Sequence, residues 1–293
     1  MSLCLPDQRS LAAARRSLRQ LEVRGRHHDT RHAGARMRWR SWGQGPDLVL
    51  LHGGHGSWMH WVRNIEALAE RFSVWVPDMP GFGDSDVLAG HPHDADRQER
   101  LVETLDAGLQ QLLGNAGFGL AGFSFGGLTA AQLAAASGRV RRLALLGTAG
   151  HGGVRRMAGE LTDWRRAEGL ARWQAHAGNL RALMLHEAAS VDAQALVAHT
   201  CSSAATRYRS KAMSRASNLL DVLSRYHGNL LLIWGEHDVT AVPDDIGPVL
   251  CAGGPQREWC VVPGAGHWVQ YEQSARINTI LTDWFQSSTT PIP

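Results

Sequence analysis

The stretch Gly122-Phe123-Ser124-Phe125-Gly126-Gly127 places a serine between glycines, at the point where a strand pattern gives way to a helix pattern. Residues 117–121 (GFGLA) are short and apolar, as in a buried strand, and residues 128–136 (LTAAQLAAA) are rich in helix formers. A serine at such a junction is held on a strained turn with its hydroxyl exposed, and small neighbours let other backbone approach. The stretch therefore predicts a nucleophilic Ser124. The alternative is a simple glycine-serine turn, because the chain contains 32 glycines.

Length and composition indicate a globular protein with a sizeable core. With 293 residues, of which 44% are hydrophobic, the chain is long enough for one large α/β domain with an insertion, or for two small domains. No apolar run approaches the roughly 20 residues that a membrane span needs, so none is expected. The net charge of +3 is uneven, since residues 1–40 carry +7 and the remainder carries −4. Because no basic stripe with interleaved aromatic residues follows, we expect no nucleic-acid partner.

The cysteines and the N-terminal sequence indicate in which cellular compartment the protein is expected. The four cysteines show neither a C-x-x-C pair nor zinc spacing, which favours reduced thiols in a cytoplasmic protein; they are Cys4, Cys201, Cys251 and Cys260. Residues 10–21 form an arginine-rich amphipathic helix pattern without the apolar core of a secretory signal. We expect a solvated, basic N-terminal extension over residues 1–25, and a transit peptide stays open.

Strand and helix patterns alternate along most of the chain. Strands are predicted at residues 27–32, 36–42, 47–52, 72–77, 117–123, 140–147, 230–234 and 258–262, and helices at 8–21, 59–71, 97–113, 128–137 and 269–285. This alternation predicts an α/β fold with a mostly parallel, doubly wound sheet that is covered on both faces.

The alternation is interrupted between residues 151 and 226, where the pattern is helical throughout. A helical insertion between two strands is expected to form a cap over the carboxyl ends of the strands, where open α/β sheets bind ligands. We therefore divide the chain into the extension, a core (residues 26–150 and 227–287) and a helical cap (residues 151–226).

A nucleophilic serine needs a base, and the base needs an acid that orients it. Asp238 follows the apolar run at residues 230–234, and His267 follows the run at 258–262 and a Gly-Ala-Gly loop. Ser124, Asp238 and His267 thus come in the order serine, acid, histidine, each just past the end of a predicted strand. Three further acids stay open as alternatives to Asp238: Glu236, Asp244 and Asp245.

The loop His52-Gly53-Gly54-His55-Gly56 follows the strand at residues 47–52. Such a glycine loop supplies a backbone N–H for the oxyanion of a tetrahedral intermediate. We expect the two donors to be the N–H groups of Gly54 and of Phe125, and Gly53 to line the site. The spacing of His52 and His55 could suggest a metal, but no third ligand is evident, so we expect neither a metal nor a cofactor.

These motifs, in this order, resemble the α/β-hydrolase superfamily over residues 26–286. They are His52-Gly53-Gly54, Pro77-Asp78-Met79-Pro80-Gly81-Phe82-Gly83-Asp84-Ser85, the Ser124 stretch, Trp234-Gly235-x-x-Asp238 and Gly266-His267. The resemblance implies a hydrolase in which Ser124 attacks a carbonyl. A serine at this position also excludes the members that use an aspartate, such as haloalkane dehalogenases and epoxide hydrolases.

The segment His267-Trp268-Val269-Gln270-Tyr271-Glu272 is similar to that of the meta-cleavage product hydrolases, which cleave C–C bonds in aromatic catabolism, and Asn278 also matches. This resemblance implies that Trp268 lines the pocket; the alternative is that Trp268 and Tyr271 pack the last helix. Phe123 departs from that group, which carries asparagine before the nucleophile.

That group also binds the substrate carboxylate through a cap arginine. The expected cap of this chain also contains arginines, but none lies in a sequence context that matches the one in that group; they are Arg207, Arg209 and Arg215. With Phe123, Phe125 and Trp268 around the serine, we expect an apolar site that suits an ester or ketone with a hydrophobic group.

The sequence thus predicts a metal-free serine hydrolase that cleaves a small-molecule carboxylic ester through an acyl-enzyme. Two alternatives stay open: a C–C bond hydrolase of a meta-cleavage-type dienoate or diketone, and a catalytically silent member of the fold that only binds a ligand. The expected partner is a small hydrophobic carbonyl compound, and a homodimer is left open. The cap side chains that would define the substrate cannot be identified from the sequence.

Overall fold

The computed structural model of the chain describes residues 5–156 and 160–287. In these residues eight strands form one sheet: β1 (Arg26–His32), β2 (Ala35–Trp42), β3 (Asp47–Leu51), β4 (Ser73–Pro77), β5 (Phe118–Phe123), β6 (Val140–Leu146), β7 (Asn229–Gly235) and β8 (Arg257–Val262). The spatial order is β1-β2-β4-β3-β5-β6-β7-β8, with β2 antiparallel to both neighbours and β3 to β8 all parallel. The predicted α/β class with a mostly parallel sheet is confirmed.

Helices cover both faces of the sheet. The α-helices are α1 (Gln8–Arg24), α2 (Ile65–Ala69), α3 (Arg97–Leu113), α4 (Phe125–Ala136), α5 (Gly169–Asn179), α6 (Ala193–Ala204), α7 (Lys211–Ser214), α8 (Leu219–Leu223), α9 (Pro243–Cys251), α10 (Val269–Glu272) and α11 (Ser274–Gln286). Along β3, Leu48 and Leu50 join one apolar cluster while Val49 and Leu51 join the other, on the opposite face. Successive side chains of a strand point to opposite faces, so β3 is buried on both sides. No helix in the described part of the chain is long and apolar enough to cross a membrane.

Two helices predicted as continuous are broken, and those predictions are wrong. Residues 59–71 form a 3-10 turn at Trp58–Trp61 and then α2. The amide of Asn64, which lies at the break, donates to the Gln270 carbonyl and to Asn278. Residues 269–285 divide into α10 and α11 at Gln273, whose backbone leaves the helical region. At Asn64 these long-range contacts override a continuous helical pattern.

The expectation of a solvated N-terminal extension is wrong for the residues described. Helix α1 buries Leu11, Ala14, Leu18 and Leu21 in the apolar cluster on one face of the sheet. Its Glu22 also accepts two hydrogen bonds from the buried Arg40 guanidinium, at 3.0 and 2.7 Å. The arginines of α1 therefore lie on the outer face of a helix whose inner face is packed.

Between β6 and β7 the described residues form helices α5 to α8, short turns and loops. Residues 157–159, which fall in the expected cap, lie outside the described residues, as do residues 1–4 with Cys4. The division of the chain into an extension, a core and a cap stays a prediction.

Candidate active site

Ser124 lies between β5 and α4, with a backbone φ of 54° and ψ of −117°. A positive φ is unfavourable for a side chain with a Cβ and persists only where the surroundings impose it. Here the Ser124 N–H donates to the Leu146 carbonyl of β6 at 2.9 Å, and the Ser124 carbonyl accepts from Gly127 and Ala149 at 2.9 and 3.0 Å. These bonds tie the turn after β5 to the end of the neighbouring parallel strand β6 and to the loop after it. The Ser124 hydroxyl therefore lies at the carboxyl edge of the sheet.

Two glycines of the stretch are needed because other backbone approaches them closely. A Cβ on Gly126 would lie 2.3 Å from the His52 carbonyl oxygen, and a Cβ on Gly122 would lie 2.3 Å from the Gly126 carbonyl oxygen. Either contact is far shorter than atoms tolerate, so both positions exclude any larger residue. The same close packing brings the His52 loop beside Ser124.

The structure brings Ser124, His267 and Asp238 together in a chain of hydrogen bonds. The Ser124 hydroxyl lies 3.0 Å from Nε2 of His267. On the other side of the ring, Nδ1 of His267 lies 2.9 and 3.1 Å from the two carboxylate oxygens of Asp238. Asp238 is fully buried and His267 is 4% exposed. Gly147, at the end of β6, makes room for the pair, because a Cβ there would lie 3.0 Å from the imidazole.

Thr240 completes the acid end of this chain of hydrogen bonds. Its backbone N–H and its hydroxyl both donate to the same oxygen of Asp238, each at 2.8 Å. Burial alone would raise the pKa of Asp238, but the nearby His267 and the hydrogen bonds from His267 and Thr240 outweigh it and lower the pKa. The carboxylate is therefore ionised at neutral pH. Sequence reasoning missed Thr240, although an aspartate commonly binds the N–H two residues ahead.

The three alternative acids are placed elsewhere. Asp244 and Asp245 lie exposed in the first turn of α9. Glu236 points toward the surface, where its carboxylate accepts from the Gly264 N–H at 3.0 Å. Among the acids that the sequence left open, Asp238 contacts His267.

The loop after β3 is ordered by two histidines. His52 accepts from the Met79 N–H at Nε2, at 3.0 Å, and donates from Nδ1 to the Gly53 carbonyl, at 2.9 Å. His60 accepts from the Gly53 N–H at Nδ1, at 3.1 Å. Burial lowers the pKa of His52, and burial together with neighbouring histidines lowers the pKa of His60 well below its usual range. Both rings are therefore neutral at pH 7. His60 is a positioning residue that no sequence motif distinguishes.

The two predicted oxyanion donors lie near each other. A Cβ on Gly53 would lie 3.2 Å from the Ser124 Cβ, and a Cβ on Gly54 would lie 3.7 Å from the Phe125 Cβ. The N–H of Gly54 makes no hydrogen bond within the part of the chain that the structure describes. Gly53 and Gly54 therefore lie close to Ser124 and Phe125, and the role of the Gly54 and Phe125 N–H groups as oxyanion donors stays a prediction.

The aromatic residues predicted to contact substrate are fully buried. The Phe123 ring packs against His60 and His267, with centroids 5.3 and 5.0 Å apart. The Trp268 indole donates to the His60 carbonyl at 2.9 Å and stacks on Tyr271 at 4.2 Å.

Phe125 packs against Phe82 and Tyr208. Since Phe123, Phe125 and Trp268 have no accessible surface, contact between any of these side chains and a substrate requires the surrounding elements to move. Such contact stays a prediction.

The cap arginines named from the sequence have different surroundings. Arg207 donates to the backbone carbonyls of Gly83 and Ser85, at 3.2 and 2.5 Å, and so connects the segment between α6 and α7 to the loop after β4. Arg209 and Arg215 are exposed.

A cavity of about 310 Å³ lies away from Ser124, between α1, α6 and the segment after the His52 loop. Its walls include Arg15, Arg40, Asp78 and Ser202, and Ser124 is not one of its lining residues. Within residues 5–156 and 160–287, no group of three or more histidine, cysteine, aspartate or glutamate side chains is arranged to hold a metal ion.

Comparisons with known proteins agree on the fold. The model of the "Alpha/beta hydrolase family" matches residues 48–280. A 2-hydroxy-6-oxononadienedioate/2-hydroxy-6-oxononatrienedioate hydrolase of Cupriavidus pinatubonensis is 30% identical over 259 residues, which cover 81% of this chain and 86% of the relative.

Two further similarities involve esterases. A pimeloyl-[acyl-carrier protein] methyl ester esterase of Vibrio campbellii is 39% identical over 98 residues, 33% of this chain and 35% of the relative. The structure of a carboxylesterase from Bacillus subtilis superposes with a TM-score of 0.71 at 19% identity, covering 96% of this chain and 98% of that one.

Proposed function

The chain belongs to the alpha/beta hydrolase family, and on that premise we propose that it is a serine hydrolase that cleaves a small-molecule carboxylic ester through an acyl-enzyme. The observation that carries the proposal is the continuous chain of hydrogen bonds from the Ser124 hydroxyl through His267 to Asp238. A serine hydroxyl is a weak nucleophile, and a base within hydrogen-bonding distance, oriented by an acid, is the arrangement that activates it.

In this mechanism the imidazole of His267 takes the hydroxyl proton at Nε2 while the Ser124 oxygen attacks the ester carbonyl. The N–H groups of Gly54 and Phe125 bind the oxyanion of the tetrahedral intermediate. When the intermediate collapses, the bond to the alcohol oxygen breaks and His267 returns the proton to the leaving alcohol. Water then attacks the acyl-enzyme with His267 as the base, and this releases the acid and restores Ser124. Asp238 stays ionised and stabilises the imidazolium in each half of the reaction.

The surroundings of the serine favour an uncharged ester over an acidic substrate. The ring of His60 lies beside Phe123 and is kept neutral by burial, as is the ring of His52. Arg207 is committed to backbone carbonyls of the core. A carboxylate placed against these neutral rings would lose its hydration without gaining a charged partner from them, which is costly.

The second candidate is hydrolysis of a C–C bond in a meta-cleavage-type dienoate or diketone. The observation in its favour is the match to the Cupriavidus hydrolase over 81% of this chain, whereas the match to the Vibrio esterase covers 33%. The segment from His267 to Glu272 also resembles that of C–C hydrolases. Because both reactions begin at a carbonyl and use the same three residues, a substrate assay has to separate them.

The test is turnover by the purified protein of short p-nitrophenyl esters and, separately, of a yellow ring-fission dienoate. We expect ester turnover that falls by at least about 10⁴-fold in Ser124→Ala, because the attacking oxygen is removed. The matched control, Ser137→Ala, changes the serine that follows α4 and should retain wild-type rates.

The other outcomes select among the alternatives. Turnover of the dienoate alone would replace the ester proposal with the C–C hydrolase. Equal ester turnover in wild type and Ser124→Ala would contradict the role of Ser124. A wild-type protein that turns over neither compound, but binds a hydrophobic carbonyl ligand, would favour a silent binding protein.

A further inference from the structure

Ser210 is a cap residue that lies directly over the oxyanion side of the candidate site. Its hydroxyl oxygen is 2.6 Å from the point where a Cβ on Gly54 would lie, and the Phe125 Cβ is 3.7 Å from the same point. The hydroxyl thus lies against Gly54, whose N–H group is one of the two expected oxyanion donors and which itself approaches Phe125, the residue that carries the other. No motif in the sequence distinguishes Ser210 from the other serines of this segment.

The Ser210 hydroxyl has no hydrogen-bond partner among the residues that the structure describes. The residue is 4% exposed, yet its hydroxyl makes no hydrogen bond to any described residue and does not cap α7, which begins at the next residue. The cap serine Ser202 differs, because its hydroxyl is bonded to Ser57 of the core at 2.7 Å.

The backbone around Ser210 is held firmly against the core. The N–H groups of Arg207 and Tyr208 donate to the Gly81 carbonyl at 2.8 and 3.1 Å, and the Ser210 carbonyl accepts from Ser214 at 2.9 Å. The Tyr208 ring packs on Phe125, with centroids 5.5 Å apart. A polar group held at a fixed place beside the reacting carbonyl needs no reorganisation during the reaction, which is what electrostatic catalysis requires.

We propose that the Ser210 hydroxyl donates a third hydrogen bond to the oxyanion, which the cap adds to the two backbone donors of the core. This inference rests on the proposed function. Attack by Ser124 converts the carbonyl oxygen into an alkoxide with three lone pairs, and the N–H groups of Gly54 and Phe125 occupy two of them. The hydroxyl of Ser210 serves the third and finds the partner that it lacks in the free protein. The site is then complete only when the cap segment lies over Gly54, so cap position sets the rate of the chemical step.

The test compares Ser210→Ala with wild type on the best p-nitrophenyl ester. We expect kcat to fall by about 10- to 100-fold while KM changes by less than about threefold, because the bond forms chiefly to the transition state. A trifluoromethyl ketone, whose adduct with Ser124 carries an oxyanion, should lose affinity by a similar factor. Ser203→Ala removes another buried hydroxyl of the cap and should leave both quantities unchanged.

Melting temperature and circular dichroism verify that each variant is folded, and Ser210→Gly serves as a second variant. A kcat and a ketone affinity within twofold of wild type in a folded Ser210→Ala would overturn the inference while leaving the proposed function standing. If kcat falls but the ketone affinity is unchanged, Ser210 supports packing only and the inference is also overturned. If the wild-type protein turns over no ester and its Ser124 does not react with a fluorophosphonate, the proposed function itself is contradicted.

Discussion

At the scale of single residues, the site depends on small residues that let three backbone segments meet. Gly126 contacts the His52 carbonyl, Gly147 faces the imidazole of His267, and Gly53 lies against the Ser124 side chain. The positive φ of Ser124 is imposed by bonds to Leu146 and Ala149 rather than by the residue itself. Local strain of this kind is held by the surrounding fold, which is typical of functional sites.

Asp238 provides a test of how the imidazole is oriented. In Asp238→Asn the side chain keeps its shape but loses its charge, so it no longer stabilises the imidazolium or fixes the tautomer that accepts the serine proton. We expect kcat for the ester to fall by about 10³- to 10⁴-fold, with little change in KM.

The matched control for Asp238→Asn is Asp244→Asn, which makes the same change at an exposed position on α9. Steady-state kinetics of both variants, verified as folded by circular dichroism, measure the effect. Activity within threefold of wild type in Asp238→Asn would show that another group orients His267.

Ser124, Asp238 and His267, which the structure brings together, could be selected from the sequence because each follows an apolar run typical of a strand and is flanked by glycine or a turn. Thr240 and Ser210 could not be predicted in the same way. Thr240 contacts the carboxylate of Asp238 rather than the serine. Ser210 contacts Gly54 from a segment about 150 residues further along the chain, and no hydrophobic periodicity in that segment indicates which of its side chains are buried. Contacts of this kind depend on the tertiary fold and leave no local pattern.

At the scale of elements, α5 and α6 contact each other through a buried histidine, His176, and a half-buried one, His199. His176 of α5 is fully buried, stacks against Trp164 at 4.7 Å and contacts His199 of α6 at 5.3 Å. Neither ring nitrogen of His176 has a hydrogen-bond partner within the described residues. Burial and nearby arginines lower the pKa of His176 from 6.5 to about 4, and burial and neighbouring histidines lower that of His199 to about 3.

This burial makes stability depend on pH. Between pH 6.5 and about 4 the unfolded chain binds a proton at His176 that the folded chain does not. The contribution of His176 to the free energy of unfolding is therefore fully present above pH 6.5 and is lost as the pH decreases toward 4. One pKa unit corresponds to about 1.4 kcal/mol, so His176 should account for a loss of about 2 kcal/mol at about pH 5.

His176→Phe, which keeps an aromatic ring beside Trp164, should remove that part of the pH dependence. The control is His227→Phe, which changes an exposed histidine. Urea unfolding at about pH 7.5 and about pH 5 measures the difference. If wild type and His176→Phe lose stability equally over this range, His176 is not the group that titrates.

Elements were predictable where the chain pattern is strong. The helix at residues 97–113 agrees with α3, and the strands at 47–52, 140–147 and 230–234 fall within a residue or two of β3, β6 and β7. The breaks at Asn64 and Gln273 could not be predicted, because the amphipathic pattern continues through both positions. It gives no sign, for example, that the Asn64 amide donates to the distant Gln270 carbonyl. Helix α9 was missed as well, since its sequence opens with Pro243 and contains Pro248, which obscures a helical pattern.

At the scale of the whole molecule, helix α1 connects α6, which lies between β6 and β7, to strand β2 of the sheet. It packs along α6 while its Glu22 binds Arg40, which is 1% exposed and also pairs with the buried Asp78 at 2.9 Å and with Asp84. A buried arginine among several carboxylates holds the elements that carry them in a fixed arrangement. Composition alone indicates a solvated N-terminal extension, because the ten arginines in the first 40 residues make the segment strongly basic and its apolar face difficult to recognise.

The most direct test of the central claim, that Ser124 is a nucleophile activated by His267, is covalent labelling with a fluorophosphonate followed by intact mass measurement and peptide mapping. We predict a single adduct located on Ser124, absent from Ser124→Ala and formed at least about 100-fold more slowly in His267→Ala, where the base is missing. An unlabelled wild-type protein, or an adduct on any other residue, would contradict the account.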